Sequence, residues 1–174
     1  MSACKVLLFG NPFLRRKCKK VNFSKKSLNE KMIRDLKDTL HSLQRIHGKG
    51  GGLAAPQIGY DARAVYVDFK GRSLFLFNPH IVRKSKSTFR DWDFCFSAKA
   101  AFTAKNRFYK SVTVEYFTPD GKKVKEEFSG YSSSLIQHEL DHLDGILFTD
   151  RMDKGSEIMM MEEWDRRFKY SQDY

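Results

Sequence analysis

Three consecutive glycines, Gly50-Gly51-Gly52, with Gly48 just ahead of them, constrain this chain's fold more than any other feature. Each glycine costs a helix about 1 kcal/mol relative to alanine, so helix is not expected to cross this stretch. Ahead of it, Met32, Ile33, Leu36, Leu40 and Leu43 recur at helical spacing from Leu28 to about Ile46. Ser27, with Glu30 three residues on, has the form of a capping box for that helix. Behind the glycines the period changes. Residues 63–69, 73–77, 111–117 and 122–128 read as strands, with Gly71 and Thr118-Pro119-Asp120-Gly121 as turns. A second helix is expected from Ser132 or Ser133 to Leu143 or Asp144, stopped by Gly145. The stretch from Ser156 to Phe168 can form a last, amphipathic helix. The pattern predicts an α+β fold: short antiparallel strands packed around a central buried helix, with an N-terminal helix and a C-terminal helical tail over 153–174. At 174 residues with no Pro/Gly/Ser-rich linker, residues 1–174 read as one domain.

The central helix carries His138-Glu139-Leu140-Asp141-His142. Histidines four apart on a helix face one side and can share one cation, with Glu139 placed to contact water there rather than to ligate. A catalytic site of this kind needs a third protein ligand; by residue type the candidates are Cys95, His80 and the carboxylates. Three widely spaced cysteines are no disulfide framework. The net charge of +11, concentrated in Arg15-Arg16-Lys17-Cys18-Lys19-Lys20 and at Lys25-Lys26, Lys122-Lys123 and Lys125, favours a polyanionic neighbour such as RNA. No base-reading motif accompanies it. The apolar run Val6–Phe9 is too short for a signal-peptide core, and a cytoplasmic location is the default expectation; a removed organellar presequence would leave no trace.

Three boxes in order resemble the peptide deformylase family. Gly50-Gly51-Gly52-Leu53-Ala54-Ala55-Pro56-Gln57-Ile58-Gly59 looks like its GxGLAAPQxG box. Asp93-Phe94-Cys95-Phe96-Ser97 looks like a divergent EGCLS box, and Gln137–Gly145 is similar to QHExDHLxG. The resemblance implies hydrolytic removal of the N-formyl group from the initiator methionine of new polypeptides, releasing formate. It implies Cys95, His138 and His142 as metal ligands, with Fe(II) the usual metal and nickel, cobalt or zinc able to substitute. It assigns Glu139 as general base and acid, and Gln57 and the backbone N–H of Phe96 as oxyanion donors. Gly50, Gly51, Gly52, Leu53, Phe94, Ser134 and Leu135 would line the substrate site. Formylated nascent peptides would be the partners, with a basic face helping the protein dwell on the ribosome surface.

The departures from the family pattern cluster beside the substrate. Gly51 stands where a branched apolar residue is usual, Phe94 replaces the glycine of the second box, and Ser134 replaces an apolar residue lining the methionine pocket. Asp93 replaces glutamate, with Arg107 the expected salt-bridge partner. The expectation is an intact metal site beside a remodelled groove, Phe94 filling space that Gly51 and Ser134 vacate. The competing readings are a deformylase-like protein with little activity and a basic ribosome-associated binding protein. A general HExxH endoprotease gives Gly50–Gln57 and Cys95 no role.

Overall fold

The computed structural model describes residues 3–168. The first helix, α1 (Lys26–His47), buries Met32, Leu36 and Leu40, and Leu36 and Leu40 are fully inaccessible. Each such leucine contributes about 1.5–3 kcal/mol by leaving water. Gly48 ends the helix in the left-handed conformation, φ 67°, its N–H returning to the Gln44 carbonyl. The expected cap is not used: α1 begins at Lys26, one residue before Ser27, and no side chain caps it.

Among the described residues eight strands follow: β1 (Gly52–Ala54), β2 (Ala64–Phe69), β3 (Arg72–Lys84), β4 (Thr88–Phe94), β5 (Phe102–Tyr109), β6 (Ser111–Phe117), β7 (Lys123–Ser129) and β8 (Ile158–Met160). One antiparallel sheet has the order β1-β2-β3-β6-β7, and β4-β5-β8 form a second, also antiparallel. The helix α2 (Tyr131–Leu143) lies on one face of the large sheet and α1 on the other. On β2, Val65 and Val67 pack with Ile136, Leu140 and Leu143 of α2, while Ala64 and Tyr66 pack with Leu36 and Leu40 of α1. Burial on both faces explains why this strand shows little polar alternation.

Strand β3 runs seven residues past the expected end at Phe77. Asn78 adopts φ 52° and Pro79 offers no N–H, and the register shifts between Phe77 and His80. The bulge is pinned: Asn78 Oδ1 accepts from Val21 N–H at 2.7 Å and its Nδ2 donates to the Val21 carbonyl at 3.2 Å. Strands β4 and β5 lie where no strand is expected. The stretch from Ser156 divides into β8 and the short helix α3 (Met161–Phe168); the tail expected beyond it, residues 169–174, lies outside the described residues. No helix among the described residues is long and apolar enough to cross a membrane.

Candidate metal centre

Cys95 sits in extended backbone (φ −136°, ψ 136°) where β4 gives way to the 3-10 turn Phe96–Ala98. This delivers its thiol to α2, where it is 3.2 Å from His142 Nε2. His142 Nε2 in turn is 3.2 Å from His138 Nε2. The three ligand atoms lie within 4.8 Å of one another, and all three residues are buried. Tetrahedral coordination with a sulfur at about 2.3 Å and nitrogens at about 2.0–2.1 Å needs spacings of about 3.3–3.6 Å, so the set fits one divalent cation.

His138 is oriented from behind, whereas the buried Nδ1 of His142 has no hydrogen-bond partner among the described residues. Asp93 Oδ1 lies 2.6 Å from His138 Nδ1, leaving Nε2 to point inward. Asp93 is itself held by Asn106 Nδ2 at 3.0 Å, and its backbone carbonyl accepts from Thr103 Oγ1. Asn106, fully buried, also donates to the Phe148 carbonyl at 2.8 Å. The expected partner, Arg107, instead points outward on β5 toward Thr88 and Asp153. Adjacent residues on a strand face opposite ways, so only one of this pair can reach Asp93.

Gln57 belongs to the 3-10 turn Ala55–Ile58. Its Oε1 accepts from Ala54 N–H at 2.9 Å, which turns the amide nitrogen toward Cys95 Sγ at 3.4 Å and Ser97 Oγ at 3.2 Å. Phe96 opens a 3-10 turn, so its N–H is one of the donors such a turn cannot use internally. Glu139 is buried and its Oε2 has no hydrogen-bond partner among the described residues. Burial pushes its carboxyl up to about 7; the nearby His138 opposes that shift and Asp93 adds to it. For His138, burial works against the charge, but the Asp93 carboxylate outweighs it and the ring is held well above the usual range. His142 is pushed well below that range by burial and by the charge on His138.

A cavity of about 50 Å³ joins these groups, lined by Gly50–Gly52, Gln57, Phe94, Cys95, Phe96, Ser134, Leu135, His138 and Glu139. It shares Gly50, Gly51, Trp92, Phe94 and Tyr131 with an aromatic groove of about 810 Å³. A Cβ at Gly52 would stand 2.5 Å from Glu139 Oε1, so only glycine leaves that carboxylate where it is. Two expectations for the lining need correction. Leu53 is fully buried among the α1-side core residues and does not line the cavity. The space beside Gly51 is taken by Leu135 and the Tyr131 hydroxyl, each 3.0 Å from a Cβ built there, while Phe94 packs edge-on against Phe96. Asn106, Asp91, Trp92 and Tyr131 are not marked out by the sequence; the polar residues two apart in Asp91-Trp92-Asp93 are a signal for β4 alone.

The model describing polypeptide deformylase matches residues 3–157. A peptide deformylase of Pseudothermotoga lettingae is 38% identical over 146 residues, covering 84% of this chain and 81% of the relative. One from Thermotoga maritima is 31% identical over 159 residues, covering 91% and 93%. The crystal structure of peptide deformylase from Thermotoga maritima superimposes with a TM-score of 0.80 at 30% identity, over 88% of this chain and all of that one. Fold, buried thiol–imidazole cluster and sequence agree over the same residues, and this chain belongs to the peptide deformylase family.

Proposed function

We propose that the chain, as one catalytic domain over 1–174, hydrolyses the N-formyl group from the amino-terminal methionine of nascent peptides. Cys95, His138 and His142 would hold the divalent cation, Fe(II) by the family's habit, with nickel, cobalt or zinc as substitutes. A dication bound there lowers the pKa of water toward neutrality and polarises a carbonyl. The observation that carries the reading is Glu139, a buried carboxyl pushed up to about 7 with a free oxygen beside the three ligand atoms.

The water oxygen adds to the formyl carbon and its proton passes to Glu139. The C–N bond then breaks, Glu139 delivers the proton to the departing amine, and formate is released. A group with a pKa near 7 suits both transfers at neutral pH. Charge developing on the formyl oxygen would be met by Gln57 Nε2 and the Phe96 N–H, and losing one such donor costs about 2.7–4 kcal/mol. Gly50, Gly51, Gly52, Phe94, Ser134 and Leu135 would border the peptide.

The charge of +11 supports a ribosome-facing role for the exposed Arg15, Arg16, Lys17, Lys19 and Lys20, in a cytoplasmic enzyme. Metal analysis of anaerobically purified protein, paired with formate release from a formyl-Met peptide, tests the central reading. Equal release from wild type and Glu139→Gln would remove Glu139 from the reaction. Ribosome co-sedimentation that falls with salt, while peptide activity persists, is expected for the basic face.

A further inference from the structure

Asp91 and Ser134 take no part in proton transfer or cation binding, yet they meet where the inner cavity adjoins the groove. Ser134 Oγ donates to Asp91 Oδ2 at 2.7 Å, and Asp91 Oδ1 accepts from the Trp92 N–H at 3.0 Å. This contact repeats the one between Asp93 and His138, displaced by two residues on β4 and four on α2. Two strand residues advance about 6.6 Å and four helical residues about 6 Å, so strand and helix climb in step. Asp93–His138 is the rung at the ligands, and Asp91–Ser134 is the next rung toward the groove.

The chemistry of the second rung is unusual for a pocket wall. Ser134 lines the inner cavity and Asp91 lines the groove continuing from it. Asp91 is half-buried, and among the described residues no cationic side chain pairs with its carboxylate. Lys49, which also borders the groove, is engaged by Asp165 and lies 4.6 Å from the Trp164 ring centre. Burial, then the charges of Asp91 and Glu139, push the Tyr131 phenol upward, and His138 opposes them.

A substrate whose formyl group met the Cys95–His138–His142 cluster would extend its first side chain past His138 into the cavity that Ser134 also lines. A side chain of four or five heavy atoms spans about one helical turn, about 5–6 Å, which brings its end to Ser134 and Asp91. An apolar end there would cover the carboxylate without giving it a donor, and such unpaired groups discriminate strongly between otherwise similar ligands. We propose that Asp91, with Ser134 orienting its carboxylate, selects formylated substrates whose first side chain ends in an ammonium or guanidinium group over apolar ones of the same length. Formyl-methionine peptides enter the same pocket at a disadvantage. The inference rests on the deformylase reading of the centre.

The test compares formyl-Lys-Ala-Ser with formyl-norleucine-Ala-Ser, by kcat/KM for formate release and by calorimetric binding to the Glu139→Gln variant. The lysyl peptide is expected to lead by about tenfold in both. Asp91→Asn, close in shape, should remove most of that lead, and Asp91→Leu with Ser134→Ile should reverse it. A norleucine peptide that equals or exceeds the lysyl one in the wild type overturns the proposal, as does an unchanged ratio in Asp91→Asn. If neither peptide nor formyl-Met-Ala-Ser releases formate while Glu139→Gln still prefers the lysyl peptide, the pocket inference stands and the deformylase reading fails. Formate released from all three without preference overturns the pocket inference and leaves the deformylase reading standing.

Discussion

A Cβ added to Gly52 would meet the carboxylate of Glu139, the movable end of a side chain rather than fixed backbone. Gly52→Ala should therefore fold and displace the proton carrier. A misplacement on the order of 1 Å costs about 100-fold in rate, so kcat is expected to drop by about that factor with a thermal midpoint close to wild type. A variant with wild-type kcat would show that Glu139 acts from another position. Asn106 supports the centre from one residue further out. Asn106→Ala leaves Asp93 short of a donor and should weaken metal binding by about 10–100-fold, read by competition with a chelator; unchanged affinity would reduce Asn106 to a core residue. The two histidines are legible in the sequence by their helical spacing, whereas spacing alone does not separate Cys95 from His80 or the carboxylates, and it enters through the family resemblance. Asn106 is not legible, because facing inward from β5 is a property of strand register, and its neighbour Arg107 is the more conspicuous residue by charge.

Among the elements, α2 is legible almost to its ends: the expected start at Ser132 or Ser133 falls within two residues of Tyr131, and Gly145 follows its end at Leu143. Strand β4 hides because Asp91 and Asp93 turn inward toward α2, against the rule that charged residues face water. The true length of β3 hides behind Asn78-Pro79, which reads as a turn and is a bulge held by Val21. Leu53 belongs to the α1-side packing, so Leu53→Ala should cost about 2–5 kcal/mol of stability and leave the KM of the folded enzyme unaltered. A raised KM with intact stability would return Leu53 to the substrate site. The helix α3 forms one wall of the groove, and Lys49 ties it to the glycine segment through Asp165 and Trp164. Lys49→Met is expected to raise KM for a formylated tetrapeptide more than for a formylated dipeptide, with kcat preserved. Equal KM changes for the two lengths would place α3 away from the bound chain.

For the molecule as a whole, the buried thiol of Cys18 joins the chain's start to the end of α2, its N–H donating to the Leu143 carbonyl at 2.8 Å. Burial first, then the charge of Asp61, pushes this thiol up to about 11. A group whose folded pKa is raised contributes fully below its unfolded value, 9.0 for this thiol, and loses that contribution as pH climbs toward 11. Alkaline titration should thus erode about 2–3 kcal/mol of stability over that window, and Cys18→Ala should flatten the slope in a denaturant series taken at several pH values. An identical slope in the variant would assign the alkaline limb to other groups. The two rungs between β4 and α2 also bear on how such a protein can change over time. Reactivity depends on positions 93 and 138, and choice of substrate on positions 91 and 134, yet both pairs hang from one strand and one helix. Substitution can therefore revise what the enzyme accepts while its chemistry persists, whereas inserting or deleting one residue in β4 would derange both together. A lineage exploring new formylated substrates would be expected to vary the residues at 91 and 134 freely and to keep the number of residues between 91 and 95 constant.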